Sequence, residues 1–276
     1  MDLSVLNESE GTLRLILSGT NAAFANALRR AMVSEVPVMA IDDVIFIENS
    51  SVLYDEVVAH RLGLVPLKTD LDAYVMPEEC DCKSELGCSK CRASFVLEAE
   101  ATEHSISVYS GDLKPESDLI RPVSDRIPIT KLGPGQRLKL EAYARLGRGL
   151  EHAKWQPVSG STYKYVPKVR VRPDNLANPD EVVRWCPRDV FATDPTEKII
   201  VKDEMACTLC EECVKHAQPI DPKKPFPVEI EGDKTSFIFE IESTGALPSR
   251  RILLEAAKIL DRKAAEFGKL AKAEVT

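Results

Sequence analysis

The sequence predicts an α+β protein in which one discontinuous domain is assembled from both ends of the chain. Three observations predict it. A strand pattern followed by an amphipathic helix occurs near the start and again near the end, the middle alternates short β patterns with turn signals, and a proline-rich, cysteine-bearing stretch precedes the return. At 276 residues, with 44% hydrophobic and 29% charged residues, the chain has material for about two domains and a sizeable core.

Leu13, Leu15 and Leu17 alternate with Arg14, Ile16 and Ser18, which predicts a half-buried strand within residues 1–20. A helix should follow over Phe24–Val36, because Phe24, Leu28, Met32 and Val36 recur every four residues with Ala27, Ala31 and Val33 beside them. Thr20 and Asn21 are suitable N-caps for it, and Pro37 closes it by forcing the preceding residue out of helical geometry. Ile41–Ile47 is β-rich, and residues 55–60 read as a short helix with Gly63 as its C-cap. Strand patterns then occur at residues 95–97, 106–109, 128–129 and 138–143, with Gly133-Pro134-Gly135 as a turn.

Residues 166–222 carry seven prolines and no long periodic element, which fits a small subdomain organised by a cofactor. Phe237, Phe239 and Ile241 restore the strand pattern, residues 244–248 form a turn, and a long helix begins near Ser249 with Leu253, Ala256, Ala257, Leu260, Ala264 and Phe267 on its apolar face. The expected division is residues 1–44 with 224–276, a β-rich insert at 45–165, and a cysteine-bearing subdomain at 166–223.

A net charge of -8 argues against a chain that binds nucleic acid by itself, since such binding rests on a Lys/Arg surface. The basic run Lys164–Arg172 reads as a solvated edge strand before a nucleic-acid face. No stretch approaches the ~20 apolar residues of a membrane span, and Met1-Asp2-Leu3 does not open an export signal, so a cytosolic protein is expected. The eight cysteines fall into two groups of four, which in that compartment predicts metal sites before disulfides.

Cys207, Cys210 and Cys213 form C-x2-C-x2-C, a spacing that lets one loop offer three thiolates to a cubane cluster. Ala217 stands where a ferredoxin run would place its fourth cysteine, and the upstream Cys186-Pro187 supplies that ligand. The expected cofactor is one [4Fe–4S] cluster, with a three-iron cluster on Cys207, Cys210 and Cys213 if Cys186 is not bound, and a four-cysteine zinc site as the alternative. Cys80, Cys82, Cys88 and Cys91 lie within a dozen residues and can close tetrahedrally around zinc, with an iron–sulfur cluster or a metal-free loop as the alternatives. Catalytic signatures are poor. His60, His104, His152 and His216 stand apart from any nucleophile motif, and neither a Gly-rich phosphate loop nor a carboxylate triplet for magnesium is present.

Ala27-Leu28-Arg29-Arg30-Ala31-Met32 with Glu35-Val36-Pro37 and Ala40-Ile41-Asp42, then Asp55-Glu56 to His60-Arg61-Leu62-Gly63-Leu64-Val65-Pro66-Leu67, and finally Glu151-His152-Ala153-Lys154-Trp155, closely resemble the alpha-like subunits of DNA-directed RNA polymerases. The ferredoxin-like segment is similar to that of the archaeal, iron–sulfur-containing members, and the Cys80–Cys91 group to the zinc loop of the eukaryotic ones. This resemblance implies a non-catalytic assembly platform. Its terminal strand–helix elements would form a dimerisation domain for a smaller alpha-like partner, subunit L, joined by the small zinc-binding subunits N and P before the large catalytic subunits dock. Phe24, Leu28, Met32, Leu253, Leu260 and Phe267 would then be apolar anchors, with Arg29, Arg30, His60 and Arg61 available for polar contacts. A ferredoxin-like redox protein is the rival reading, and it accounts for residues 186–213 alone.

Overall fold

The computed structural model describes residues 1–9, 11–84, 87–117, 119–196 and 198–275. Along the chain these form β1 (Asp2–Ser9), β2 (Thr12–Ser18), α1 (Ala22–Ser34), β3 (Val38–Asn49), α2 (Asp55–Gly63), β4 (Arg92–Glu100), β5 (Ile106–Tyr109), β6 (Lys114–Pro115), β7 (Pro128–Leu132), β8 (Arg137–Gly147), β9 (Val158–Val171), α3 (Pro179–Trp185), β10 (Phe191–Thr193), β11 (Ile199–Val201), α4 (Glu212–His216), β12 (Val228–Ser243) and α5 (Ser249–Val275). The α+β class is as expected. Among the described residues no helix is long and apolar enough to cross a membrane.

The chain divides into two compact units, one of Met1–Asn7, Arg14–Ala25 and Thr162–Glu240, the other of Glu8–Leu13, Asn26–Ser161 and Ile241–Thr276. In the first unit a four-stranded sheet has the order β1-β2-β12-β9. Leu15, Leu17, Phe237 and Phe239 are buried on it, and the Tyr163 ring of β9 lies 5.6 Å from Phe237 and 5.4 Å from Phe239. A smaller core of Leu176, Val182, Val190, Phe191 and Ile199 surrounds the β10–β11 hairpin and includes Cys207 and Cys213.

In the second unit the antiparallel sheet β3-β8-β4-β6 carries the main core, in which Met39, Ile41, Phe95, Leu97, Leu138 and Leu140 are fully buried. Each such side chain contributes about 1.5–3 kcal/mol relative to exposure. β3 pairs with β8 from Val38↔Gly147 to Asn49↔Leu138, and Leu62 of α2 belongs to the same core.

Several elements depart from the sequence expectation. The strand expected within residues 1–20 is two strands, and Gly11 between them has φ +88°, a left-handed conformation that favours glycine. α1 starts two residues before Phe24, capped by the Asn21 Oδ1, which accepts the Phe24 N–H at 2.9 Å. It ends at Ser34, where the Glu35 and Val36 amides both return to the Ala31 carbonyl. Its buried side chains are Ala25, Leu28, Ala31 and Met32, whereas Phe24 is 37% exposed. Gly63 is the last residue of α2 and not a left-handed cap; a Cβ there would stand 3.4 Å from the Ile41 carbonyl, so the helix end sits close on β3. β9 begins at Val158, six residues before the basic run, and it is an edge strand of its sheet as read.

The long helix begins at Ser249 as expected, its hydroxyl donating to the Gly11 carbonyl at 2.7 Å. Ile252, Ala256 and Ile259 are buried, Leu253 and Leu260 are half-buried, and Lys263 pairs with Glu35 of the segment after α1. Beyond that pair residues 264–267 and 269–273 are exposed, with Phe267 at 73% and Leu270 at 67%.

Candidate metal centres

The first cysteine group sits on a loop between a 3-10 turn at Pro77–Glu79 and β4. The Sγ atoms of Cys80, Cys82, Cys88 and Cys91 all lie within 4.8 Å of one another, and among the described residues no other group of His, Cys, Asp or Glu ligand atoms is packed so closely. Cys80 and Cys88 sulfurs are 3.7 Å apart, Cys82 and Cys91 3.8 Å, and Cys88 and Cys91 3.9 Å. Four sulfurs at a Zn–S distance of ≈ 2.3 Å on a tetrahedron have edges of about 3.8 Å. The donor set therefore has the spacing of a single tetrahedral ion.

Backbone turns set that spacing. The amides of Cys91 and Arg92 both return to the Cys88 carbonyl, at 3.0 and 2.8 Å, and the Cys88 N–H donates to Cys91 Sγ at 3.2 Å. The Lys90 amide bonded to the Cys88 thiol, helped by neighbouring thiols, brings that thiol down to about 7, while burial pushes Cys91 up to about 12. Four such groups cannot all ionise without a cation among them.

The second group is gathered around a cavity. Cys186, Cys207, Cys210 and Cys213 line one cavity together with Pro187, Val190 and Phe191. Cys207 and Cys213 are buried, Cys186 is half-buried and Cys210 is exposed. Burial, then the nearby thiols of Cys186, Cys207 and Cys210, pushes Cys213 up to about 11, and burial raises Cys207 as well. A cubane offers each cysteine its own iron, so its ligand sulfurs stand farther apart than around one ion.

The three-cysteine loop is shaped by its ends. The Asp203 Oδ1 accepts the Met205 and Ala206 amides at 3.0 and 3.3 Å, capping the turn that delivers Cys207. Leu209 and Glu211 both adopt positive φ, 61° and 60°, and the Leu209 amide donates to Cys207 Sγ at 3.4 Å. Left-handed geometry at a non-glycine residue is strained and persists only where the surroundings impose it.

Cys186 is brought to this loop by contacts that spacing alone does not announce. Asn178, ahead of α3, donates to the His216 carbonyl at 2.8 Å and accepts the Gln218 amide at 2.9 Å. The Trp185 and His216 rings stack with centroids 4.3 Å apart and planes 4° from parallel. His216 is thus a packing residue, as read, and His152 takes the Lys154 amide on Nδ1 at 3.0 Å. On β9, the Lys164 Nζ donates to the carbonyls of Met205 and Cys207 at 2.9 and 2.7 Å, and burial lowers its proton affinity. Of these, only Asn178 before Pro179 left a sequence signal, as a cap residue ahead of a helix-starting proline.

The motifs that carry the resemblance converge elsewhere. Lys154 Nζ lies 2.6 Å from Asp42 Oδ1, Arg145 Nε 2.6 Å from Asp42 Oδ2, and the Lys154 and Arg145 cations stand over the Trp155 ring at 4.3 and 4.4 Å. Burial would raise the Asp42 carboxyl, but the hydrogen bonds from Lys154 and Arg145 hold it below its usual value. Of the polar residues expected at the surface, Arg30, His60 and Arg61 are exposed; Arg61 donates to the Ile129 carbonyl at 2.8 Å, and Arg29 to Asn26 Oδ1 at 3.1 Å. Phe24 and Phe267 are exposed, Leu253 and Leu260 half-buried, and Leu28 and Met32 buried within the chain itself.

A family model described as the RNA polymerase Rpb3/Rpb11 dimerisation domain matches residues 14–264. The chain is 42% identical over 270 residues to the DNA-directed RNA polymerase subunit Rpo3 of Archaeoglobus fulgidus, covering 98% of this chain and 97% of that protein. It is 38% identical over 266 residues to Rpo3 of Methanosphaera stadtmanae, covering 96% of each. It is also 38% identical over 281 residues to the DNA-directed RNA polymerase II subunit rpb3 of Dictyostelium discoideum, covering 95% of this chain and 92% of that one. Matched along almost its whole length, the chain belongs to the Rpb3/Rpb11 family of alpha-like assembly subunits of DNA-directed RNA polymerase, on the side of the archaeal Rpo3 proteins.

Proposed function

We propose that the chain works as a non-catalytic platform that pairs with a small alpha-like subunit, L, and is then joined by subunits N and P and by the large catalytic subunits. The observation that carries this reading is the outer half of α5. Leu253, Leu260 and Phe267 recur at heptad-like spacing, yet Phe267 is 73% exposed and Leu270 67%, so an apolar stripe runs off the chain's own core. Phe24, exposed on α1, would be a separate apolar anchor, while Leu28 and Met32, already buried, would hold α1 in place from beneath. Arg30 and His60 are exposed for polar contacts with larger partners. On this reading residues 1–44 and 224–276 serve dimerisation, 45–165 form the insert, 166–223 carry the iron–sulfur subdomain, and the chain works in the cytoplasm.

In the proposal Cys80, Cys82, Cys88 and Cys91 hold one zinc ion, supported by sulfur spacings of 3.7–3.9 Å. Cys186, Cys207, Cys210 and Cys213 hold one iron–sulfur cluster, of four irons with Cys186 bound or three without it, supported by their shared cavity and the left-handed turns around Cys210. When bound, the cluster supplies a cross-link between α3 and the 207–213 loop, and electron transfer in the rival redox reading. Exposure of Cys210 favours that rival, which leaves the stripe on α5 without a purpose.

Reconstitution from purified subunits tests the platform role. RNA synthesis should require this chain together with L, and the chain alone should make no RNA; assembly of an active enzyme without it would overturn the proposal.

A further inference from the structure

Lys164 does not behave like the rest of the basic run on β9. Lys168 Nζ lies 2.9 Å from Asp233 Oδ2, and Arg172 grips Glu229 with two bonds of 2.8 and 3.0 Å, so those cations are spent on surface pairs. Lys164 is half-buried and, among the described residues, has no carboxylate within ion-pair distance. Its ammonium is spent on two backbone carbonyls, Met205 at 2.9 Å and Cys207 at 2.7 Å. Those carbonyls flank the entry to the three-cysteine loop, and the second belongs to a cysteine whose thiol lines the cavity.

Both signs of charge border the cavity, with Arg188 and Glu211 in its lining. Arg14 and Arg188 lie within electrostatic reach of Lys164, and Arg188 lines the cavity itself. Of the nearby acids, Asp203 caps the Met205 turn and also faces Lys164 electrostatically, Glu204 accepts the Val169 amide at 2.6 Å, and Glu212 pairs with Lys215 at 2.5 Å, so Lys164 is the cation bonded directly to the loop that carries Cys207. Four thiolates on a cluster leave net negative charge that grows by one on reduction. The potential of such a centre responds to nearby charge, to hydrogen bonding and to exposure.

We infer that Lys164 is a positioning residue for the iron–sulfur cluster: its two carbonyl bonds fix the Cys207 loop, and its charge favours the reduced cluster and so raises the reduction potential. The inference rests on the reading of Cys186, Cys207, Cys210 and Cys213 as cluster ligands. A lysine at this position therefore serves the cofactor and not nucleic acid, although it opens the run that looks most like a nucleic-acid face.

The test uses the full chain purified without oxygen, as wild type, Lys164→Met and Lys164→Arg. Iron and acid-labile sulfide content, the midpoint potential by EPR-monitored titration, and the rate of iron loss to a chelator are measured for each. Lys164→Met should lower the potential and release iron several-fold faster, and Lys164→Arg should restore most of the potential. If Lys164→Met loads no cluster, recovery of both cluster and potential in Lys164→Arg supports the role equally. Lys164→Met with full iron, wild-type potential and wild-type release would overturn the inference and leave the cluster standing. Zinc in place of iron in the wild type would overturn the cluster reading and the inference with it, before any variant is compared.

Discussion

The Lys154 ammonium reaches back 112 residues to the Asp42 carboxylate, 2.6 Å away, and also donates to the Ile41 carbonyl at 3.1 Å. Asp42 lies on β3 and Lys154 follows β8, so the pair ties the Ala40-Ile41-Asp42 motif to the Glu151–Trp155 motif across one sheet. Replacing Asp42 with Asn should cost about 1–3 kcal/mol, because two part-buried cations lose a charged acceptor. The Asp42 carboxyl is held below its usual value by Lys154 and Arg145 against the opposing effect of burial. Its contribution is thus complete above about pH 4 and is lost as pH falls through the lowered folded value. Urea unfolding of both proteins at pH 7 and near pH 3 checks this: the gap should narrow in acid, and a constant gap would contradict the assignment.

Gly147 is held by the neighbouring ring. A Cβ at that position would overlap the Trp155 indole, so Gly147→Ala should destabilise the second unit by about 1–3 kcal/mol through overpacking. The urea midpoint should fall, and the Trp155 fluorescence should report a displaced ring.

The two cysteine groups should empty independently. Cys88→Ser should remove zinc and leave iron unchanged, whereas Cys207→Ser should remove iron and leave zinc, as measured by elemental analysis of anaerobic protein. Loss of both metals from either variant would mean that the two groups depend on each other.

On α5, burial separates folding from pairing. Ile252 is fully buried, so Ile252→Ala should cost about 2–5 kcal/mol in urea unfolding of the chain alone. Phe267 is 73% exposed, so Phe267→Asp should leave that stability within about 0.5 kcal/mol while weakening the L partner by tenfold or more in calorimetry.

The strands at both ends were legible because Leu13, Leu15, Leu17 and Phe237, Phe239, Ile241 alternate plainly, and each of the six is buried. Gly11, which breaks the first run into two strands, was harder to read because a single glycine between polar residues does not declare its φ. On and just after α1 the recurrence held at Leu28, Met32 and Val36, which are buried, but in the first turn Ala25 is buried and Phe24 exposed; an alanine reads as neutral while a phenylalanine reads as core. Partner surfaces and core are equally apolar in sequence, so Phe267 exposed and Met32 buried could not be told apart there. The cysteine spacings announced both quartets. What the spacings left out, namely Lys164, Asn178 and the Trp185–His216 stack, acts through backbone carbonyls and ring faces, and of these only the Asn178-Pro179 pair left a trace in the sequence.

The most direct measurement is an anaerobic pull-down of the tagged chain from the cells that make it, with the recovered proteins identified and quantified by mass spectrometry. The account predicts a small alpha-like partner and the large polymerase subunits in near-equal amounts, with the small partner lost from Phe267→Asp. Recovery of the chain alone, or with electron-transfer enzymes, would contradict the assembly role and make the Cys186–Cys213 centre the purpose of the protein.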